Sequence, residues 1–221
     1  MAQFKIKNGV AIIPEGTTEI GEYAFDSCKS LTSATIPDSV TSIGGYAFRD
    51  CSSLTSITIP DSVTSIENGA FSGCNSLPVI DNVRYADTCV VGVIDKTLSS
   101  YTIKDNTRLI GNYTFYNCSN LTSVTIPDSV TSIGDFAFYG CTSLTSVTIG
   151  NGVTSIGRRV FGKCCGSISA YCKVAIPPTV YSGPIYDASA IKIYVPRQSV
   201  EAYKAAEYWS EYASDIEGYD F

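Results

Sequence analysis

The sequence predicts a solenoid of stacked, near-identical turns, and three observations carry that prediction. An isoleucine closes each of six similar segments, at Ile13, Ile36, Ile59, Ile103, Ile126 and Ile149, with steps of 23, 23, 44, 23 and 23 residues. Apolar side chains recur in register with them: Phe25, Phe48, Phe71, Phe115, Phe138 and Phe161 form one series, and Ile20, Ile43, Ile66, Ile110, Ile133 and Ile156 another. Each segment also ends in an alternation of apolar and hydroxyl residues, the period-2 mark of a strand with one oily and one wet face. One such unit cannot bury its apolar side alone. Stacked copies can, with strands about 4.8 Å apart, so each copy rests mainly on its neighbours.

The copy from Ile126 to Ile149 shows what each position does. Pro127-Asp128-Ser129 turns the chain, since Pro fixes φ and Asp and Ser bond back to backbone N–H groups. Val130 and Ile133 begin a second short extended run on the opposite side, which Gly134 breaks. Phe136-Ala-Phe138 supplies bulk and is expected to form one tight helical turn, and Cys141 and Leu144 complete the interior. Leu144, Val147 and Ile149 have the LxxLxL spacing of leucine-rich repeats, whose period range includes 23 residues.

Residues 1–12 read as a cap. Phe4 and Ile6 alternate with Lys5 and Lys7, and Asn8-Gly9 offers a tight hairpin turn into Val10 to Ile12. Three copies then run from Ile13 to about Leu77, the third carrying Glu67-Asn68-Gly69 where its neighbours have Gly, a variable residue and an aromatic. The segment from Pro78 to Thr102 is irregular and reads as short strands at Asn82–Tyr85, Cys89–Val93 and Ser100–Ile103, with turns at Ala86-Asp87 and Asp95-Lys96. Its charges, Asp81, Arg84, Asp87, Asp95 and Lys96, belong either to a degenerate repeat with a solvated face or to loops on a binding face. Three further copies extend from Ile103 to about Gly166, the last with Arg158-Arg159-Val160 in place of the aromatic pair. Beyond Ile176-Pro177-Pro178, which cannot continue a central strand, Ile191–Val195 alternates as a strand. Ser199 is expected to N-cap a helix through about Trp209, with Val200, Tyr203, Ala206 and Trp209 toward the core and an acidic tail after it. Residues 1–175 are thus read as the solenoid, with an insertion over about 78–102, and 176–221 as a C-terminal cap packed on it.

Composition excludes several functions. A net charge of −6 offers no basic footprint for nucleic acid or an anionic membrane. No apolar run approaches 18 residues, so no transmembrane helix is expected. The start, MAQFKIKNGV, lacks the basic-then-apolar pattern of a signal peptide. Histidine is absent, which rules out His-activated nucleophiles and imidazole zinc sites. Of nine cysteines, Cys28, Cys51, Cys74, Cys118 and Cys141 share one repeat position and read as a buried ladder of small apolar groups. Cys89, Cys164, Cys165 and Cys172 read as off that ladder, with no CxxC spacing for zinc. Asp38, Asp61 and Asp128 recur at the turn in each copy and serve it, and no isolated acid–base pair, phosphate loop or nucleophile signature appears. No enzyme activity, metal or cofactor is expected.

The recurring IPDSVTSIGxxAFxxCxSLTSVTIP, as at Ile36–Pro60 and Ile126–Gly150, resembles the BspA-like leucine-rich repeat proteins of bacterial surfaces, over roughly residues 13–175. The stretch PPTVYSGPIY…IYVPRQSVEAYKAAEYWSEY resembles the strand-and-helix cap of gut-bacterial members. The resemblance implies a right-handed leucine-rich repeat solenoid, with short strands on one face and short helical turns or irregular segments on the other, in a cell-surface or secreted protein. It further implies a non-enzymatic module that binds host or microbial proteins, extracellular-matrix proteins such as fibronectin or fibrinogen among them.

The residues themselves offer a polar strand face, Ser33, Thr35, Ser56, Thr58, Ser123, Thr125, Ser146 and Thr148, flanked by Thr32, Thr55, Thr122 and Thr145. Small hydroxyls make poor hot spots, which favour Trp, Tyr and Arg. Binding energy is therefore expected at irregular places, Arg84, Tyr85, Tyr101 and Tyr171, beside Ser123, Thr125, Ser146 and Thr148. The alternative is a structural spacer with no specific ligand, motivated by near-identical copies. A monomer is expected.

Overall fold

The computed structural model describes residues 4–165, 167–183 and 190–221. Residues 1–3 of the expected cap, the Gly166 break and residues 184–189 of the C-terminal segment lie outside the described residues. The strands, in chain order, are β1 (Lys5–Lys7), β2 (Val10–Ile12), β3 (Glu19–Ile20), β4 (Ser33–Thr35), β5 (Ser42–Ile43), β6 (Ser56–Thr58), β7 (Ser65–Ile66), β8 (Val79–Ile80), β9 (Val83–Ala86) and β10 (Cys89–Val93). They continue as β11 (Ser100–Thr102), β12 (Leu109–Ile110), β13 (Ser123–Ile126), β14 (Ser132–Ile133), β15 (Ser146–Ile149), β16 (Ser155–Ile156), β17 (Ser167–Cys172), β18 (Thr179–Val180), β19 (Ala190–Pro196) and β20 (Ile216–Tyr219). Helix α1 spans Val200–Ala205. Contacts gather into two compact units, 1–94 with 109–114, and 95–108 with 115–221.

In the first unit the Asn8-Gly9 turn forms as read. Both residues take positive φ, 51° and 79°, which a two-residue hairpin turn requires, and β1 pairs antiparallel with β2. From β2 the pairing becomes parallel through β4 and β6, with Ser33 opposite Ser56 and Thr35 opposite Thr58. A second parallel set, β3, β5 and β7, places Ile20, Ile43 and Ile66 in one row. Phe4, Phe25, Phe48 and Phe71 stack in sequence with ring centroids 5.4, 4.9 and 5.1 Å apart, close to the spacing of strands in a sheet.

The irregular segment leaves the repeat as a small antiparallel meander, β8–β9–β10, bulged at Val91. It then rejoins the parallel pattern, with Cys89 opposite Leu109 and Val90 opposite Ile110. One of its charges, Asp87, serves a local end. Ile59 N, which in a regular copy would donate to a backbone carbonyl of the next turn, donates to Asp87 Oδ2 at 2.8 Å, so the carboxylate satisfies a donor the deviation would orphan.

The second unit repeats the scheme. β11, β13, β15, β17, β19 and β20 run parallel in that order, and β14, β16 and β18 form the companion set. Phe115, Phe138 and Phe161 stack at 4.9 and 5.6 Å.

The expected tight helical turn around Phe136-Ala-Phe138 is not a helix. Left-handed residues recur four apart, Phe136 at φ 55° and Gly140 at 73° in this copy, Tyr23 at 57° and Ser27 at 58° in the first. Every second N–H points along the stack, while those between bond three residues back in their own turn. Tyr23, Phe25 and Ser27 donate to the carbonyls of Gly45, Ala47 and Arg49 in the next turn, where a helix would have bonded them within its own turn.

The cysteine ladder forms, and it includes Cys164, one period after Cys141, which the sequence reading had set aside because the doubled cysteine obscured the register. Cys141 Sγ and Cys164 Sγ face the carbonyls of Phe115 and Phe138 at 3.2 and 3.5 Å, as Cys51 and Cys74 face those of Phe25 and Phe48 at 3.1 and 2.9 Å. Burial pushes the Cys118 thiol up to about 11 and the Cys164 thiol up to about 12, from an ordinary 9.0. A thiol held protonated in the folded chain but free to ionise in the unfolded one stabilises fully below pH 9.0. That contribution fades as pH rises toward the folded value. The melting temperature is expected to fall steadily between about pH 9 and 11, and to fall less steeply in a Cys118→Ala/Cys164→Ala double variant. Parallel curves for the two proteins would remove the thiols from the account.

At the C-terminus the helix expected from Ser199 to Trp209 is shorter. A 3-10 turn covers Arg197–Ser199, Ser199 makes no side-chain cap, and α1 ends at Ala205, where Ala206 turns extended (ψ 146°) and Tyr208 takes φ 62°. The acidic tail is not free either: β20 extends the sheet beside β19, with Ile193 opposite Ile216. Tyr203 and Trp209 are buried as read. Tyr203 Oη donates to Val174 O at 2.9 Å, and Trp209 Nε1 donates to Pro178 O at 2.9 Å.

Candidate functional site

Period-2 alternation turns one side chain in two toward solvent, so parallel pairing in register builds rows across the outer strand face of the second unit. One row runs Ser100, Ser123, Ser146, Ser169, Lys192, and the next runs Thr102, Thr125, Thr148, Tyr171, Tyr194, Glu217. Ser123, Thr125, Ser146, Thr148 and Tyr171, five of the eight residues singled out in the sequence, therefore share one continuous surface. The flanking threonines commit their hydroxyl protons to the backbone. Thr122 Oγ1 donates to Ser99 O at 2.7 Å and Thr145 Oγ1 to Thr122 O at 3.2 Å, clasping each turn to the one before.

The hydroxyl rows end in an aromatic group. Tyr171 and Tyr194 stack at 4.9 Å with 17° between their planes, and Tyr219 stands edge-on to Tyr171 at 5.4 Å. Tyr219 is 42% exposed and Phe221, 5.1 Å from it, 51% exposed. Two ion pairs flank the rings, Lys192 Nζ to Glu217 Oε1 at 2.6 Å and Arg197 Nε to Asp220 Oδ1 at 2.7 Å.

The remaining three candidates are placed differently. Tyr101 is 8% exposed, because it lies between outward Ser100 and Thr102 and so points inward, against Phe115 at 5.9 Å. Tyr85 is 4% exposed for the same reason of parity on β9. Neither side chain presents a surface to a partner. Arg84, in the first unit with Tyr85, is half-buried, donates to Asn75 Oδ1 at 3.3 Å, and has its pKa lowered by desolvation. Among the described residues no group of three or more His, Cys, Asp or Glu side chains gathers that could hold a metal ion, and no helix is long and apolar enough to cross a membrane.

The repeat model of the BspA type leucine-rich repeat region matches six copies, over residues 4–85 and 94–183. The chain belongs to the BspA-type leucine-rich repeat family. Among solved structures, this BspA-type chain is similar to the T. pallidum leucine-rich repeat protein at 24% identity, covering 85% of this chain and 74% of that one, with a TM-score of 0.39. It is also similar to a leucine-rich repeat protein from Eubacterium ventriosum (24% identity, 82% and 65% covered, TM-score 0.46). A leucine-rich cell surface protein from Faecalibacterium prausnitzii matches at 18% identity, with 100% and 87% covered and a TM-score of 0.32. No curated protein matches the chain. The family assignment stands on the repeat match.

Tyr194 and Tyr219 belong to the site and escaped the sequence reading. The signal for Tyr194 was present: it lies one 23-residue period after Tyr171, at the outward place in Ile191–Val195. Tyr219 carried no such signal, because β20 lay in what read as a tail.

Proposed function

We propose that this BspA-type chain is a non-enzymatic binding module of a bacterial cell-surface or secreted protein, engaging a protein ligand through the outer strand face of its second unit. The observation that carries the reading is the Tyr171–Tyr194–Tyr219 cluster at the end of an uncharged hydroxyl surface. Tyrosines bury large area at low entropic cost and dominate binding hot spots, and a flat surround of small polar residues excludes water around them. The ion pairs Lys192–Glu217 and Arg197–Asp220 form a rim that steers more than it binds. A surface or secreted location accords with the family resemblance, and host matrix proteins are the first ligands to try.

The test is saturable binding of the purified chain to immobilised fibronectin, fibrinogen, collagen and mucin at two salt concentrations. With a ligand in hand, Tyr171→Ala combined with Tyr194→Ala is expected to weaken binding by roughly 30-fold or more, the loss of at least one hot spot. Undiminished affinity in the folded double variant would move the site off this face. Failure to bind any protein at all would favour the spacer reading.

A further inference from the structure

A second cluster, in the turn segments of the second unit, is built unlike the strand face. Tyr116 and Tyr139 stack with centroids 5.5 Å apart and 4° between planes. Lys96 Nζ stands 6.0 Å over the Tyr116 ring and Lys163 Nζ 5.9 Å over the Tyr139 ring. The ring pair is thus held between two ammonium groups, which ring quadrupoles attract. Among the described residues neither lysine has a carboxylate partner. Lys96 Nζ donates to Tyr116 O at 2.8 Å, whereas among the described residues Lys163 Nζ meets only the ring.

Beside the rings lies an open cleft of about 490 Å³, lined by Tyr116, Asn117, Tyr139, Thr142, Lys163 and Cys165. It sits within the size range of small-ligand sites. Missing side chains shape it. A Cβ at Gly140 would stand 2.1 Å from Asn117 Oδ1, and one at Gly162 would stand 2.7 Å from the Tyr139 ring. Lys163 itself occupies a left-handed position, φ 53°, filled in the preceding copies by Asn117 and Gly140. Asn and Gly suit that conformation and a long side chain does not.

We propose that this cleft binds a short sugar chain carrying an anionic group, a carboxylate or a sulfate ester. Lys163 pairs with the anion, while the Asn117 amide and the tyrosine hydroxyls bond to ring hydroxyls. A bare anion would engage the lysine and leave most of the cleft empty. A long polyanion or an anionic membrane would be repelled by the net charge of −6. The site is separate from the strand face, so it stands or falls independently of the protein ligand.

The experiment titrates the full chain, by NMR or calorimetry, with a hyaluronan tetrasaccharide (carboxylate), a chondroitin sulfate tetrasaccharide (sulfate and carboxylate), neutral chitotetraose and inorganic sulfate. Saturable binding of an acidic tetrasaccharide, weakened by salt and about tenfold tighter than chitotetraose or sulfate, supports the proposal. The two acidic arms distinguish carboxylate from sulfate. Lys163→Asn is expected to reduce that affinity by roughly fivefold or more. The same change is expected to raise the melting temperature by about 2 °C, because Asn fits the backbone. Misfolding therefore does not confound the loss. Equal binding of chitotetraose, equal binding of sulfate alone, unchanged affinity in Lys163→Asn, or no binding of either acidic tetrasaccharide would each overturn it.

Discussion

Phe138→Ala is expected to destabilise the protein by roughly 3–5 kcal/mol, read as a lower denaturant midpoint at unchanged slope. Phe138 is fully buried, stacked between Phe115 at 4.9 Å and Phe161 at 5.6 Å, and its carbonyl faces Cys164 Sγ. Truncation leaves a cavity whose walls are rings of the adjacent turns. Axial hydrogen bonds, Phe115 N to Ala137 O and Phe138 N to Val160 O, tie the backbones of successive turns together, so the walls have little freedom to collapse. A surface control, Thr125→Ala, is expected to stay within about 0.5 kcal/mol. A loss below about 1 kcal/mol for Phe138→Ala would mean that the stack is not the core it looks to be.

Trp209→Ala is expected to cost a similar roughly 3–5 kcal/mol, but locally, at the C-terminal end. Trp209 is 3% exposed, its ring meets that of Tyr203 edge-on at 5.0 Å, and its Nε1–H satisfies Pro178 O. Tyr203 in turn bonds Val174 O and lies 3.1 Å from Cys172 Sγ. These two side chains join the segment between β17 and β18 to α1 and the turn that follows it. Hydrogen exchange is the decisive measurement. In the variant, amides of 190–221 are expected to lose protection while those of the first unit keep it. Full protection retained in β19 and β20 would show that sheet pairing alone holds the end.

What could be read from the sequence was whatever repeats. The steps between isoleucines placed the two parallel strand sets, the phenylalanine stack and most of the cysteine ladder, because a period states a contact twice over. What could not be read was local and unrepeated. The turn around Phe136 looks helical by composition, and only the left-handed φ values, tolerated in residues as unlikely as Tyr23 and Phe136, show that its N–H groups point along the stack. Tyr85 and Tyr101 looked like binding residues because aromatics in an irregular stretch stand out, yet one step of strand parity decides inside from outside. β20 was missed since four residues of IEGY carry no alternation strong enough to announce a strand, and pairing with β19 supplies what propensity does not.

The axial bonds described above have a kinetic meaning. Parallel sheets ordinarily fold slowly, since their pairings join residues distant in sequence. Here Thr122, Thr131, Thr145 and Thr154 each reach back 23 residues to the carbonyl they clasp. That separation is about a tenth of the 221-residue chain, a value typical of helical bundles. A sheet protein by architecture is thereby a local-contact protein by topology. Each turn can close on the one before it as soon as both exist, in the order in which a ribosome would deliver them.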